Sequence, residues 1–384
     1  MRDSVGTVAD LHASATKVTG LDDFGDDAYL EGLRVLLDSY QREAQLTPLG
    51  NSITRASLRG ALVARLLAEA AWRQYPDHVD VPIERPIFVT GLSRTGTTAL
   101  HRLLTADPAH QGLELWLADV PQPRPPRETW DDNPIYQQIK AGYDKHHAEN
   151  PDFMGLHYTS ADSVEECWRL LRQSMKSVSD ECLAYLPSYS HWLSEQDWTD
   201  AYARHRLLLQ LIGRNEPGKR WVLKNPSHLF ALDELLAVYP DALIVQTHRP
   251  PSTTLASTCS LSLAATEGWS TAFTPEVIGQ TQLDLWARGL AEFSAVRARH
   301  DPARFCDVDY DDFVADPVAT AEGIYRHFGL PLSDDARAEI RRMDAASRTG
   351  ARKPSHHYAL SDFGLTPAQV EARFATYVPA SPQL

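Results

Sequence analysis

The chain is poor in cysteine, has no basic tract and carries no long apolar run, and each absence removes a class of protein. Its four cysteines, Cys167, Cys182, Cys259 and Cys306, form no CxxC pair and stand at no Cys/His ligand spacing. That argues against a disulfide framework and a structural zinc site, and predicts buried free thiols. No apolar stretch approaches the roughly 20 residues that a membrane span needs. The N-terminus reads Met1-Arg2-Asp3-Ser4 and continues polar, without the apolar segment of a secretory signal, so a cytoplasmic location is the expectation. The 37 basic residues are outnumbered by 51 acidic ones, a formal net charge of −14. With no patch of concentrated Lys and Arg, nucleic acid and anionic membrane are disfavoured partners. No fixed-period repeat or low-complexity tail is present.

What is there is an ordinary folded chain. At 384 residues, 43% hydrophobic and 23% charged, it has length for one large or two modest domains and ample material for a core. From about Asp26 to Tyr75, apolar residues recur at helical spacing: Leu30, Leu33, Leu36 and Leu37, then Leu58, Leu62, Leu66 and Leu67 beyond a Pro48-Leu49-Gly50 break. Residues 1–80 therefore read as a helical N-terminal region, packed on an α/β domain over 81–384. Short apolar strands are predicted at Ile87-Phe88-Val89, at Arg220 to Lys224, at Ala242 to Thr247 and at Arg304 to Val308. Helices are predicted from Ala99 to Leu104 and from Phe230 to Val238. Strands separated by helices predict a central parallel sheet in a three-layer arrangement, with a helical insertion over about 120–215. Within that insertion Pro121-Gln122-Pro123-Arg124-Pro125-Pro126 must be an extended loop, because it lacks the amides for helix or ladder.

The segment that carries chemistry is Gly91-Leu92-Ser93-Arg94-Thr95-Gly96-Thr97-Thr98, which lies between a predicted strand and a predicted helix. That geometry aims backbone N–H groups and a positive helix terminus at an anion. Against the nucleotide-triphosphate loop GxxxxGK[ST], both glycines and the last hydroxyl are kept but Thr97 replaces the lysine. Arg94 instead puts a cation inside the loop. The third strand runs into Thr247-His248-Arg249 and supplies no acidic residue of the metal-holding kind, which weakens a magnesium-dependent phosphoryl transfer.

This segment resembles the 5′-phosphosulfate-binding loop of the sulfotransferases, G-x-[PS]-[RK]-[ST]-G-T-[TS]. A second match follows: Arg249, with Ser257 eight residues on, is similar to the 3′-phosphate site of that family, although Pro250 stands where many relatives have aspartate. Kinship with the bacterial branch extends to Trp221-Val222-Leu223-Lys224-Asn225-Pro226-Ser227-His228, to Asp309-Tyr310-Asp311-Asp312-Phe313, to Tyr358 to Leu365 and to Thr19-Gly20-Leu21-Asp22-Asp23-Phe24-Gly25. The resemblance implies a P-loop-like fold and the donor 3′-phosphoadenosine 5′-phosphosulfate (PAPS), leaving 3′-phosphoadenosine 5′-phosphate (PAP), without a metal.

On that reading Ser93, Arg94, Thr95, Gly96, Thr97 and Thr98 hold the 5′-phosphosulfate, and Arg249 and Ser257 grip the 3′-phosphate. Arg352 and Lys353 resemble the basic segment that closes over that phosphate. Sulfuryl transfer needs cations against the leaving phosphate and a base for the acceptor's proton. Arg94 and Lys224 are the cations, with Lys224 the better proton donor because arginine stays protonated. His228 and Glu114 compete as base: histidine has the more convenient intrinsic pKa, whereas a glutamate needs its pKa raised or an acidic acceptor. Trp130, Tyr136, Tyr143, Phe153, Tyr158 and Trp168 are expected to be mostly core, a minority lining a pocket for an aromatic or otherwise flat small-molecule acceptor. A P-loop kinase-like phosphotransferase and a non-catalytic PAP-binding or nucleotide-binding protein are the competing readings. Acceptor identity, oligomeric state and pathway do not follow from the sequence.

Overall fold

In a computed structural model describing residues 3–149, 159–349 and 358–375, five parallel strands form one sheet. They are β1 (Ile87–Gly91), β2 (His110–Gln111), β3 (Arg220–Lys224), β4 (Leu243–His248) and β5 (Phe305–Asp309), in the order β2-β3-β1-β4-β5. Val89 pairs with Lys224 on one side of β1 and with Val245 on the other. Both faces of the central strands are buried, which is why they read as continuous apolar runs. Ile87, Val89, Val222, Val245 and Val308 point into one apolar layer with Leu100, Leu104 and Ile324. Phe88, Trp221, Leu223, Ile244 and Phe305 point into the other, which also takes Leu33, Leu62, Leu209 and Leu290 from the surrounding helices. The predicted α/β class and central parallel sheet are therefore observed.

The N-terminal region is helical: α1 (Val8–Thr19), α2 (Ala28–Arg42) and α3 (Pro48–Gln74). The break read at Pro48 is the start of α3, where the Thr47 hydroxyl accepts from the Gly50 amide at 3.1 Å and Pro48 occupies the first turn. Arg65 of α3, 1% exposed, donates to the carbonyls of Phe24, Asp26 and Gln173. It thereby ties the N-terminal helices to the insertion. Several elements lie outside the sequence reading, among them β2, whose two residues are too few to show a period, and helices at Pro275–Arg297, Pro317–His327 and Asp334–Thr349. The expected helix at 230–238 is a 3-10 turn at Pro226–Phe230 followed by a helix at Leu232–Val238. The Pro121–Pro126 segment has neither helix nor strand, as its prolines require. No helix among the described residues is long and apolar enough to cross a membrane.

Gly91, the last residue of β1, fixes where the sheet meets the loop. Its φ is +139°, and a Cβ there would lie 2.5 Å from the Thr247 hydroxyl and 2.6 Å from the Thr247 carbonyl oxygen. Gly91→Ala is expected to destabilise the chain by more than about 1 kcal/mol, read as a lower urea midpoint at unchanged slope.

Candidate functional site

Parallel strands deliver their carboxyl ends to one edge of the sheet, and side chains there share a crevice. β1 ends at Gly91 and opens into the loop, β3 ends at Lys224, β4 at His248 with Arg249 next, and β5 at Asp309 with Tyr310 next.

The loop leads into α4 (Thr97–Thr105). Arg94 and Gly96 both have positive φ, +70° and +85°, a conformation that turns successive amides inward as an anion nest. Gly96 is the N-cap of α4 and no side chain caps this end, so the first amides of α4 keep their donors and the helix keeps its positive terminus. Thr95 is buried and its hydroxyl is committed inside the protein, 2.6 Å from the Leu92 carbonyl and 2.6 Å from the Thr247 hydroxyl. It shapes the loop. Thr97 is buried in the first turn, and Thr98 accepts a hydrogen bond from Lys224 at 3.0 Å.

The two arginine motifs, 155 residues apart in sequence, meet. Arg94 Nε donates to Ser257 Oγ at 3.0 Å, and Arg249 donates to the Arg94 carbonyl oxygen at 3.2 Å. Ser257 lies in a helix at Pro251–Ala265 that begins with Pro251 in its first turn. The departure at Pro250 thus immediately precedes a helix start, and Ser257 faces the loop. The Arg249 guanidinium also stands over the Tyr310 ring, 4.0 Å from its centroid.

Lys224 brings a residue that sequence reasoning missed. Its side chain is 2% exposed, and its ammonium contacts both Thr98 and the carboxylate of Glu166. The irregular chain around Glu166 is fixed by backbone bonds, from the Cys167 amide to the Lys224 carbonyl at 3.0 Å and from the Glu165 amide to the Leu113 carbonyl at 2.7 Å. Glu166 is 18% exposed, the more open member of the pair. No local motif marks it; the only signal is its tertiary position beside a strand-end lysine.

The two expected bases are placed differently. His228 is 1% exposed, its Nδ1 lies 2.7 Å from the Tyr202 hydroxyl, and its Nε2 has no hydrogen-bond partner among the described residues. Burial, assisted by His205 and Lys224, pushes its pKa well below the ordinary histidine value, so the ring is neutral. Glu114 precedes a short helix, α5 (Leu115–Asp119), and is not the exposed helix carboxylate that its neighbours allow. Burial raises its pKa against the opposing charge of Arg124, which donates to it at 3.0 and 3.1 Å and also binds Gln111 and Glu216. No hydrogen bond or ion pair among the described residues joins Glu114 to the loop.

Behind Arg249 lies a buried charge network. Asp307 of β5 is fully buried, 2.6 Å from His248 Nε2, and takes two hydrogen bonds of 2.6 Å from Arg297. Burial alone would raise this carboxyl, but the donors from Arg297 and His248 outweigh it and hold the pKa at about 2.

Arg352 and Lys353, with Phe153 and Tyr158, lie outside the described residues. Trp130 and Tyr136 are buried against Trp116, with ring centroids 5.2 and 5.7 Å away, and Tyr143 bonds Arg169. Trp168 lies against the guanidinium groups of Arg169 and Arg172. Ser93 and Leu92 of the loop instead pack beside Leu255, Thr258, Trp286 and Phe374, whose large apolar side chains are buried.

The family described as "Sulfotransferase family" matches residues 86–334, a span from before β1 to beyond β5. Among solved structures, sulfotransferase STF1 from Mycobacterium tuberculosis H37Rv is 61% identical, with a TM-score of 0.92, over 98% of this chain and 100% of that one. Sulfotransferase STF9 from Mycobacterium avium is 27% identical, with a TM-score of 0.88, over 98% of this chain and 97% of that one. A curated relative from Mycobacterium tuberculosis, omega-hydroxy-beta-dihydromenaquinone-9 sulfotransferase Stf3, is 27% identical over 64% of this chain; the match spans only 63% of that relative's own length. A family match over well more than half the chain, with a strand-end crevice built around the loop 91–98, places this protein in the sulfotransferase family.

Proposed function

We propose that the chain transfers a sulfo group from PAPS to a hydroxyl or amine of a small-molecule acceptor. The observation that carries this reading is the convergence of Arg94, Arg249 and Ser257 at an uncapped helix terminus. A donor set of that kind suits a molecule with anionic groups at two separate points, and a protein of net charge −14 needs such a local concentration of donors. When bound, the donor supplies an electrophilic sulfur attached to a phosphate that leaves as PAP.

The residues then divide the work. The α4 amides, Arg94 and the Thr97 and Thr98 hydroxyls hold the 5′ group. Arg249 and Ser257 hold the 3′-phosphate, which ATP lacks. Arg94 and Lys224 oppose the charge that grows on the leaving phosphate as the sulfur–oxygen bond to it breaks. A base takes the acceptor's proton as the new bond to sulfur forms. Glu166 suits that task better than the two residues named from sequence, because it is more open than His228 and, unlike Glu114, sits beside Lys224 and Thr98. His228 then serves as a neutral, buried support of the turn after β3.

The test is calorimetry of PAP and of ATP with magnesium, on the wild type and Arg249→Ala. Tight PAP binding, weakened about ten- to a hundredfold by the substitution, with weak ATP binding, supports the reading. ATP binding as tight as PAP and indifferent to Arg249 would overturn it in favour of phosphoryl transfer.

A further inference from the structure

The segment Asp309-Tyr310-Asp311-Asp312-Phe313 is so far only a mark of kinship, yet its tyrosine touches both halves of the crevice. Tyr310 follows β5, and Asp309, one residue before it, pairs in register with His248, one residue before Arg249. The two side chains therefore leave adjacent strand ends at the same level. The face of the ring receives the Arg249 guanidinium, 4.0 Å from its centroid. Another part of the ring abuts Gly96: a Cβ added there would stand 3.2 Å from Tyr310 Cδ2 and 3.3 Å from a Phe313 ring carbon. One aromatic side chain thus packs against the glycine of the 5′ loop and under the arginine of the 3′ site.

We propose that Tyr310 is a positioning residue that presents Arg249 to the 3′-phosphate and couples its placement to the loop at Gly96, so that the ring sets the preference for a 3′-phosphorylated nucleotide. This rests on the donor reading above. An arginine on a flexible stem loses rotamer freedom when it grips a phosphate. A ring that already holds the guanidinium in plane lowers that loss, and the attraction comes from the negative ring face, not from the hydroxyl. The strand ends are themselves fixed by Asp307, which holds His248 and Arg297. The ring therefore sits on a rigid base, and the change needed to test it is confined to one side chain.

The experiment measures the dissociation constants of PAP and of adenosine 5′-monophosphate, which lacks the 3′-phosphate, together with Tm. Tyr310→Phe keeps the ring face and is expected to keep the PAP preference. Tyr310→Leu is expected to weaken PAP about three- to thirtyfold while changing the monophosphate little. Pentafluorophenylalanine at position 310 keeps the size but removes the negative ring face, and is expected to reproduce the loss at unchanged Tm; it also decides the matter if the leucine variant does not fold. Equal losses for both nucleotides, or a pentafluorophenylalanine variant that binds PAP like the phenylalanine one, would overturn the positioning role. Failure of the donor reading has a different signature: the wild type itself would show no preference for PAP over the monophosphate.

Discussion

Glu166→Gln is expected to lower kcat about 10²- to 10⁴-fold, the range removed with a general base, while PAP affinity stays within about threefold. The carboxylate meets Lys224 at the end of β3, and Lys224 meets Thr98 in the first turn of α4, so the pair lies against the start of that helix, where the proposed donor site is. Glutamine keeps the shape and a carbonyl oxygen for the lysine but accepts no proton. A purely structural role for Glu166, holding Lys224 in place, predicts a different pattern: Lys224 would shift, PAP affinity would fall with kcat, and the pH dependence of kcat would keep its acidic limb. Loss of that limb in Glu166→Gln is the signature of a base. Glu114→Gln is expected to act through stability instead, because Arg124 would lose a partner while buried among Gln111, Glu114 and Glu216. Nearly full turnover in Glu166→Gln with most activity lost in His228→Asn would return the role to the histidine.

The contrast between these carboxylates shows where sequence reading stops. The loop 91–98 was legible because its pattern is local: glycines at positive φ, a cation and hydroxyls within eight residues between a strand and a helix. Arg249 and Ser257 were legible because a strand end and a helix fix their spacing, and the structure sets both on Arg94. Lys224 was legible as a strand-end residue. Glu166 was not, since its own segment is irregular and is placed by hydrogen bonds from the Cys167 amide to Lys224 and from the Glu165 amide to Leu113, both far away in sequence. Glu114 reads locally as an exposed carboxylate beside Leu113, Leu115 and Trp116; only the return of Arg124 from the proline-rich loop buries and pairs it. β2 escaped because pairing with Arg220 and Trp221, not an intrinsic pattern, makes its two residues a strand. Local conformation and strand ends are written in neighbouring residues, whereas a contact between irregular segments is written nowhere in particular.

Buried histidines make the fold sensitive to acid. His101, His205 and His228 are 0–1% exposed, and among the described residues each ring has one hydrogen-bond partner: the Val222 carbonyl at 3.0 Å, the Tyr239 hydroxyl at 2.7 Å and the Tyr202 hydroxyl at 2.7 Å. Burial pushes His101 and His205 down to about 3 and His228 well below its ordinary value. A histidine with a depressed folded pKa contributes stability that is present near neutrality and is lost as pH falls below the unfolded value of about 6.5, because the unfolded chain takes the proton first. His101 and His205 should each cost about 3 kcal/mol between pH 7 and pH 4, and His228 adds to the loss in the same direction. Buried carboxyls oppose this, Glu114 among them because burial raises its pKa. Burial raises Glu181 to about 7 and Asp180 to about 6, so the folded state binds their protons first and gains about 5 kcal/mol over the same interval. Asp307, held at about 2, stays ionised in the folded chain while the unfolded carboxyl begins to take a proton near pH 4, so it adds a small further loss. The histidines and the buried carboxyls therefore pull in opposite directions between pH 7 and pH 4, and the change in stability is the difference between the two. Urea denaturation at half-unit steps reads it directly. The sharper measurement is the slope in His205→Phe, a residue outside the crevice: between pH 6 and pH 4 it should be flatter than the wild type by about 1.4 kcal/mol per pH unit, whatever the variant's stability at pH 7. An unchanged slope would mean that His205 is protonated as readily in the folded chain as in the unfolded one, and that the pocket of Phe88, Tyr202 and Tyr239 around it admits water.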